Sequence, residues 1–141
     1  MLLYKNHRFH SHGGSFQLPD GYVIDSITED DTVIFIPIYS PDRSLFIDIR
    51  FEKTINAVLV ALPRLLEDFA QTIINPVTPL TINDLTGCHV TYRRSSTQGY
   101  EAWFDLDTGY ALTFEFRTHG NILDIDTAAI LAEIDPRADG K

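Results

Sequence analysis

Between residues 45 and 52, the apolar side chains Leu45, Ile47, Ile49 and Phe51 alternate with Phe46, Asp48, Arg50 and Glu52. A period of two sends successive side chains to opposite faces, so this segment reads as a strand with one buried and one largely polar face. The pattern returns in 100–106 and 110–116, on either side of Asp107-Thr108-Gly109. A two-residue Thr108-Gly109 loop would pair side chains of opposite faces. A three-residue loop with Gly109 in a left-handed bulge position sets Phe104 opposite Leu112, Trp103 opposite Thr113 and Glu101 opposite Glu115. A chain that must place these segments in one sheet is built on antiparallel pairing.

Other elements follow from punctuation. Residues 15–18 and 22–25 are short strands divided by the turn Pro19-Asp20-Gly21, and 32–36 is an apolar strand covered on two faces. From Thr54, a plausible N-cap, the residues Ile55, Val58, Leu59, Leu62, Leu66, Phe69 and Ile73 keep a 3.6-residue period, which predicts a long amphipathic helix over 54–73, kinked or divided at Pro63. Pro76 and Pro79 lead into strands at 80–82 and 88–93, 121–125 is a short extended stretch, and Asp126 caps a final helix to about residue 133. Strands, a long helix, further strands and a short C-terminal helix define an α+β domain on an antiparallel sheet of six to eight strands. Residues 1–14 read as a polar N-terminal arm, and 15–141 as a single domain.

Twenty acidic against eleven basic residues give a formal charge of −9. That charge repels phosphate backbones and anionic lipid, arguing against nucleic acid and membrane surfaces and for a basic protein partner, though acidity also serves solubility. No segment approaches the ~20 apolar residues of a membrane span, and the lone Cys88 rules out an internal disulfide, so the expected location is cytoplasmic.

The candidates for chemistry are thin. His7, His10 and His12, with His119 as a conceivable fourth ligand, have the residue type of a transition-metal site, but nothing in the sequence brings them together. Cys88 and His89 are adjacent and, on a strand, point to opposite faces, which argues against a thiolate–imidazole pair. Asp105 with Asp107, or Asp124 with Asp126, would need a cleft that separates their pKa values. The Glu29-Asp30-Asp31 run lacks the alternating ligands of a calcium loop. There is no nucleophile elbow, phosphate-cradling glycine loop or metalloprotease helix. No catalytic residue, cofactor or metal is therefore assigned, and Arg93-Arg94 stands out as a basic spot able to hold an anion or a carboxylate.

The segment Phe16-Gln17-Leu18-Pro19-Asp20-Gly21-Tyr22 resembles the opening F-x-L-P-x-G-[WY] strand and turn of the PsbP-like and Mog-type superfamily, and the element order over about 15–135 is similar to that family. The resemblance implies an α/β/α sandwich around an antiparallel sheet and a binding or assembly role. It carries no site residue with it.

Together these readings predict a non-enzymatic protein-interaction module, an adaptor or immunity-type protein of a bacterial system being one form. The alternatives are a small-ligand-binding protein, signalled by a pocket lined by Tyr92, Tyr100 and Tyr110, and a hydrolase, signalled by a cleft holding a carboxylate or histidine of shifted pKa. The expected binding surface is the polar side of the sheet: Trp103, Arg93 and Arg117 with Glu101 and Glu115. Trp103 there is either an anchor for a partner or covered by the terminal helix.

Overall fold

The computed structural model describes residues 2–11, 13–54, 56–57, 72–94 and 96–138. Its main element is an eight-stranded antiparallel sheet. In chain order the strands are β4 (Val23–Ile24), β5 (Thr28–Glu29), β6 (Val33–Tyr39), β7 (Leu45–Lys53), β8 (Thr72–Ile82), β9 (Leu85–Arg93), β10 (Gln98–Asp105) and β11 (Tyr110–Thr118). They lie side by side as β4-β6-β7-β11-β10-β9-β8, with β5 also pairing β6. Before them, β1 (Leu3–Lys5), β2 (Arg8–His10) and β3 (Ser15–Phe16) form a three-stranded meander, so the segment read as an arm is in part strand.

The alternating segment at 45–52 does what its period requires. Leu45, Ile47, Ile49 and Phe51 are buried, and β7 runs antiparallel between β6 and β11 at the centre of the sheet. The 100–116 hairpin has Phe104 opposite Leu112, Trp103 opposite Thr113 and Glu101 opposite Glu115. Its turn closes through Leu106 N to Tyr110 O at 2.9 Å, with Gly109 at φ 85°, a left-handed conformation that glycine adopts without strain. The strand at 33–39 alternates buried and half-buried positions and is not covered equally on both sides.

The α+β sandwich with a long helix is not what the described residues build. They are mostly antiparallel strand, and the helix α1 (Thr127–Ile134) is the single helix of seven or more residues among them. Most of the helix expected over 54–73 lies outside the described residues. Its expected C-terminal end, Thr72 and Ile73, belongs to β8. The reason is local: Thr72, Ile73 and Ile74 are a β-branched run suited to a pleated strand, and Pro76 and Pro79 cannot occupy a helix interior but are tolerated on a sheet edge. The 121–125 stretch, expected to be extended, contains a 3-10 turn at Ile122–Asp124 with Asn121 accepting from Leu123 N.

One face of the sheet carries the main core. Ile36, Ile47, Ile49, Phe104, Leu112, Phe114 and Phe116 pack there with Phe16 from the meander and with Ile122, Leu131 and Ile134 from the C-terminal segment. The two ends of the chain are tied together over this face. Ser15 and Arg137 exchange two backbone hydrogen bonds of 2.9 Å, Gln17 N donates to Ile134 O at 2.7 Å, and Arg8 reaches Asp135 at 2.7 Å. Asp126 caps α1 through Ala129 N at 3.1 Å. No helix among the described residues is long and apolar enough to cross a membrane.

Candidate functional site

The opposite face of the sheet holds the polar residues of the alternating strands. Register sets Glu101 beside Glu115 and Glu115 beside Asp48, three carboxylates in one row across β10, β11 and β7. Like charges in directly opposed positions repel, so such a row needs cations and donors around it. Arg117 donates to Asp48 at 2.9 Å, the Tyr92 hydroxyl donates to Glu115 Oε2 at 2.8 Å, and Arg94 stands 3.6 Å from the same oxygen. Arg50 pairs with Glu52 at 3.2 Å and lies over the Phe35 ring, while Arg94 lies over the Tyr92 ring. Glu101 is 2 % exposed and is not left without a partner.

Tyr92 reaches Glu115 because Gly99 lies between them in the sheet. A Cβ on Gly99 would come within 2.4 Å of the Tyr92 ring, so the missing side chain is what lets the phenol lie across β10. Burial, with the Glu115 carboxylate next, pushes the Tyr92 hydroxyl far above the ordinary phenol range and keeps it a donor. Burial also raises the Asp48 carboxyl, with Arg117 pulling the other way.

Trp103 sits in the same face at 2 % exposure, packed in a second apolar cluster with Ala57, Val90, Tyr92 and Ala111. The indole is packing in this conformation and does not project into solvent. Nor is the terminal helix its cover, because Leu131 and Ile134 belong to the core on the other face. Arg93 is exposed and does not join the group: it alternates with Tyr92 and pairs with Gln98, which puts it on the side of Tyr100. The arginine beside Glu115 is its neighbour Arg94. Strand parity, applied to Tyr92 and Arg93, was the signal that separates the two. Arg117, Glu101, Glu115 and Trp103 thus share a face as expected, and Arg93 does not.

The other candidates separate in the same way. Cys88 packs with the Trp103 cluster, whereas His89 donates to or accepts from Tyr100 on the opposite side. Tyr92 and Tyr100 line different faces, so no pocket contains all three tyrosines. His7, His10 and His119 make separate contacts with Tyr4, the Lys5 carbonyl and the Ser96 carbonyl, and His12 lies outside the described residues. Among the described residues no group of three or more histidines, cysteines or carboxylates is placed to hold a metal ion.

Charge is divided between the two ends of the sheet. The turn after β9 and the end of β11 gather Arg93, Arg94, Arg117 and His119. At the other end, the Asn83-Asp84 turn, the 107–109 turn and the end of α1 enclose an open cleft of about 850 Å³ lined by Asp84, Asp105, Asp107 and Asp135. Asp135 is occupied by Arg8 and Arg137 at 2.7 and 2.9 Å, and Asp105 accepts from Ala57 N. Asp84 and Asp107 are exposed, and Arg137, the cation lining the cleft, is already committed to Asp135. No family model matches this chain, and no curated protein does.

Proposed function

We propose that the chain is a non-catalytic protein-interaction module that receives a basic partner at the acidic end of its sheet. The observation that carries this reading is the cleft between the Asn83-Asp84 turn and the 107–109 turn, where Asp84 and Asp107 project from short, hydrogen-bonded turns and the lining cation, Arg137, pairs with Asp135. The formal charge of −9 adds a long-range field that speeds encounter with a cationic surface. An adaptor, or an immunity-type protein that covers a basic effector, is the role such a surface suits.

Titration with a deca-lysine peptide at low salt tests it. The expected result is saturable binding that weakens steeply with salt and falls about tenfold in the Asp84→Asn, Asp107→Asn double variant, the loss of two partly solvated charge contacts. Equal binding by the double variant, or no binding at low salt, would reject the acidic cleft as the docking site.

A further inference from the structure

On the core side of the sheet, away from the acidic cleft, the edge strand departs from regular pairing. β8 spends two residues, Ile73 to Asn75, where β9 spends one, and then three, Asn75 to Thr78, where β9 spends two. Extra residues bend an edge strand away from its neighbour, and bulges of this kind frequently sit beside binding sites. Here the bend opens a cavity of about 420 Å³, walled by Asn75, Pro76 and Thr78 of β8, His89 and Thr91 of β9, Tyr100 of β10, and Ile122, Leu123, Ile125 and Thr127 of the C-terminal segment. The volume is within the range of small-molecule pockets, and among the described residues its lining contains no charged side chain.

At its polar centre Tyr100 Oη and His89 Nδ1 are 2.8 Å apart, with the rings at 88°. Tyr100 is 3 % exposed, so its hydroxyl proton needs an acceptor; Nδ1 at 2.8 Å is a stronger one than the Thr127 hydroxyl, which also hydrogen-bonds Tyr100. Burial raises the phenol to about 12 and lowers the imidazole, so Tyr100 keeps its proton and the ring is neutral near pH 7. A phenol that donates to Nδ1 leaves the second proton of a neutral imidazole on Nε2. Nε2 has no partner among the described residues.

We propose that this cavity binds a small uncharged molecule carrying a carbonyl or amide oxygen on an apolar body, with His89 Nε2–H donating to that oxygen and Tyr100 positioning the ring. The aliphatic wall of Ile122, Leu123 and Ile125 takes the apolar body. A charged ligand is disfavoured because the walls offer it no counter-ion.

Benzamide is the probe, with toluene as the match that lacks the oxygen. Long-range nitrogen–proton spectra of the labelled full chain should show His89 as the Nε2–H tautomer. Benzamide should shift the His89 and Thr127 signals saturably, and toluene should bind about three- to tenfold more weakly, the worth of one neutral hydrogen bond. Tyr100→Phe, which keeps the ring, should mix the tautomers and weaken benzamide by a similar factor. An Nδ1–H tautomer in the unaltered protein, shifts that never saturate, or equal binding of toluene and benzamide would each overturn the proposal.

Discussion

Single residues on the polar face act through what their neighbours lack. Tyr92 can reach over β10 to Glu115 because position 99 has no side chain, and the bond it makes satisfies one of three carboxylates placed in a row. Gly99→Ala should therefore destabilise the fold by about 1–3 kcal/mol, the usual cost of forcing an atom into a packed site. Tyr92→Phe, which removes the hydroxyl but keeps the ring, should cost about 1 kcal/mol. Urea unfolding of both variants checks the pair, and an alanine at 99 with unchanged stability would show that the ring moves aside freely. Alternation told which residues share this face but not which of them meet solvent. The sequence leaves Trp103 as either an anchor or a covered residue because its apolar neighbours, Val90 and Tyr92 of β9 and Ala111 of β11, are dispersed along the sequence. Arg93 groups with the carboxylates by charge alone, whereas parity with Tyr92 puts it on the other side.

At the scale of elements, segments that agree with one period throughout were legible and mixed ones were not. The 45–52 strand and the 100–116 hairpin keep period two and a turn whose glycine fits just one register, and the structure has that register. β8 was obscured because Ile73 also fits the 3.6-residue pattern begun at Thr54, and because two prolines and two bulges break its alternation. The acidic cleft and the His89–Tyr100 cavity were not legible at all. Each is assembled from turns and strand ends far apart in sequence. The terminal helix was legible through its cap. Asp126 accepts from Ala129 N at 3.1 Å, and Leu131 and Ile134 carry the helix into the core. Asp126→Ala should cost about 1 kcal/mol in thermal or urea unfolding, with Asp126→Asn nearly neutral. Because α1 and the 3-10 turn wall the second cavity, faster amide exchange over 122–131 should accompany the alanine. Unchanged exchange there, with stability lost, would place the effect elsewhere.

For the whole molecule, burial and charge set how stability responds to pH, and the groups with altered pKa do not all act in one direction. Hydrogen bonds from Ser44 and Ser40 lower the exposed Asp42 carboxyl to about 2, so its contribution is present above the unfolded value of 3.8 and is lost as pH falls toward 2. His89 is lowered by burial, so its contribution is present above 6.5 and is lost as pH falls through the folded value. Asp48 has the opposite sign. Burial raises its carboxyl despite Arg117 at 2.9 Å, with Glu115 adding to the rise and Arg50 opposing it. The folded protein then holds the Asp48 proton more tightly than the unfolded chain does. Its contribution is full below 3.8 and is lost as pH rises through the folded value, which makes the charged form a burden at neutral pH. Asp48→Asn removes that burden and keeps an oxygen able to accept from Arg117. The variant should be more stable than the parent at pH 7, should lose the advantage near pH 4, and should therefore show a steeper fall in stability on acidification. Urea unfolding at intervals from pH 7 to pH 4 measures this. A variant less stable than the parent at pH 7 would mean that the attraction between Asp48 and Arg117 outweighs the cost of burying the carboxylate, and that the polar face is held together by its ion pair.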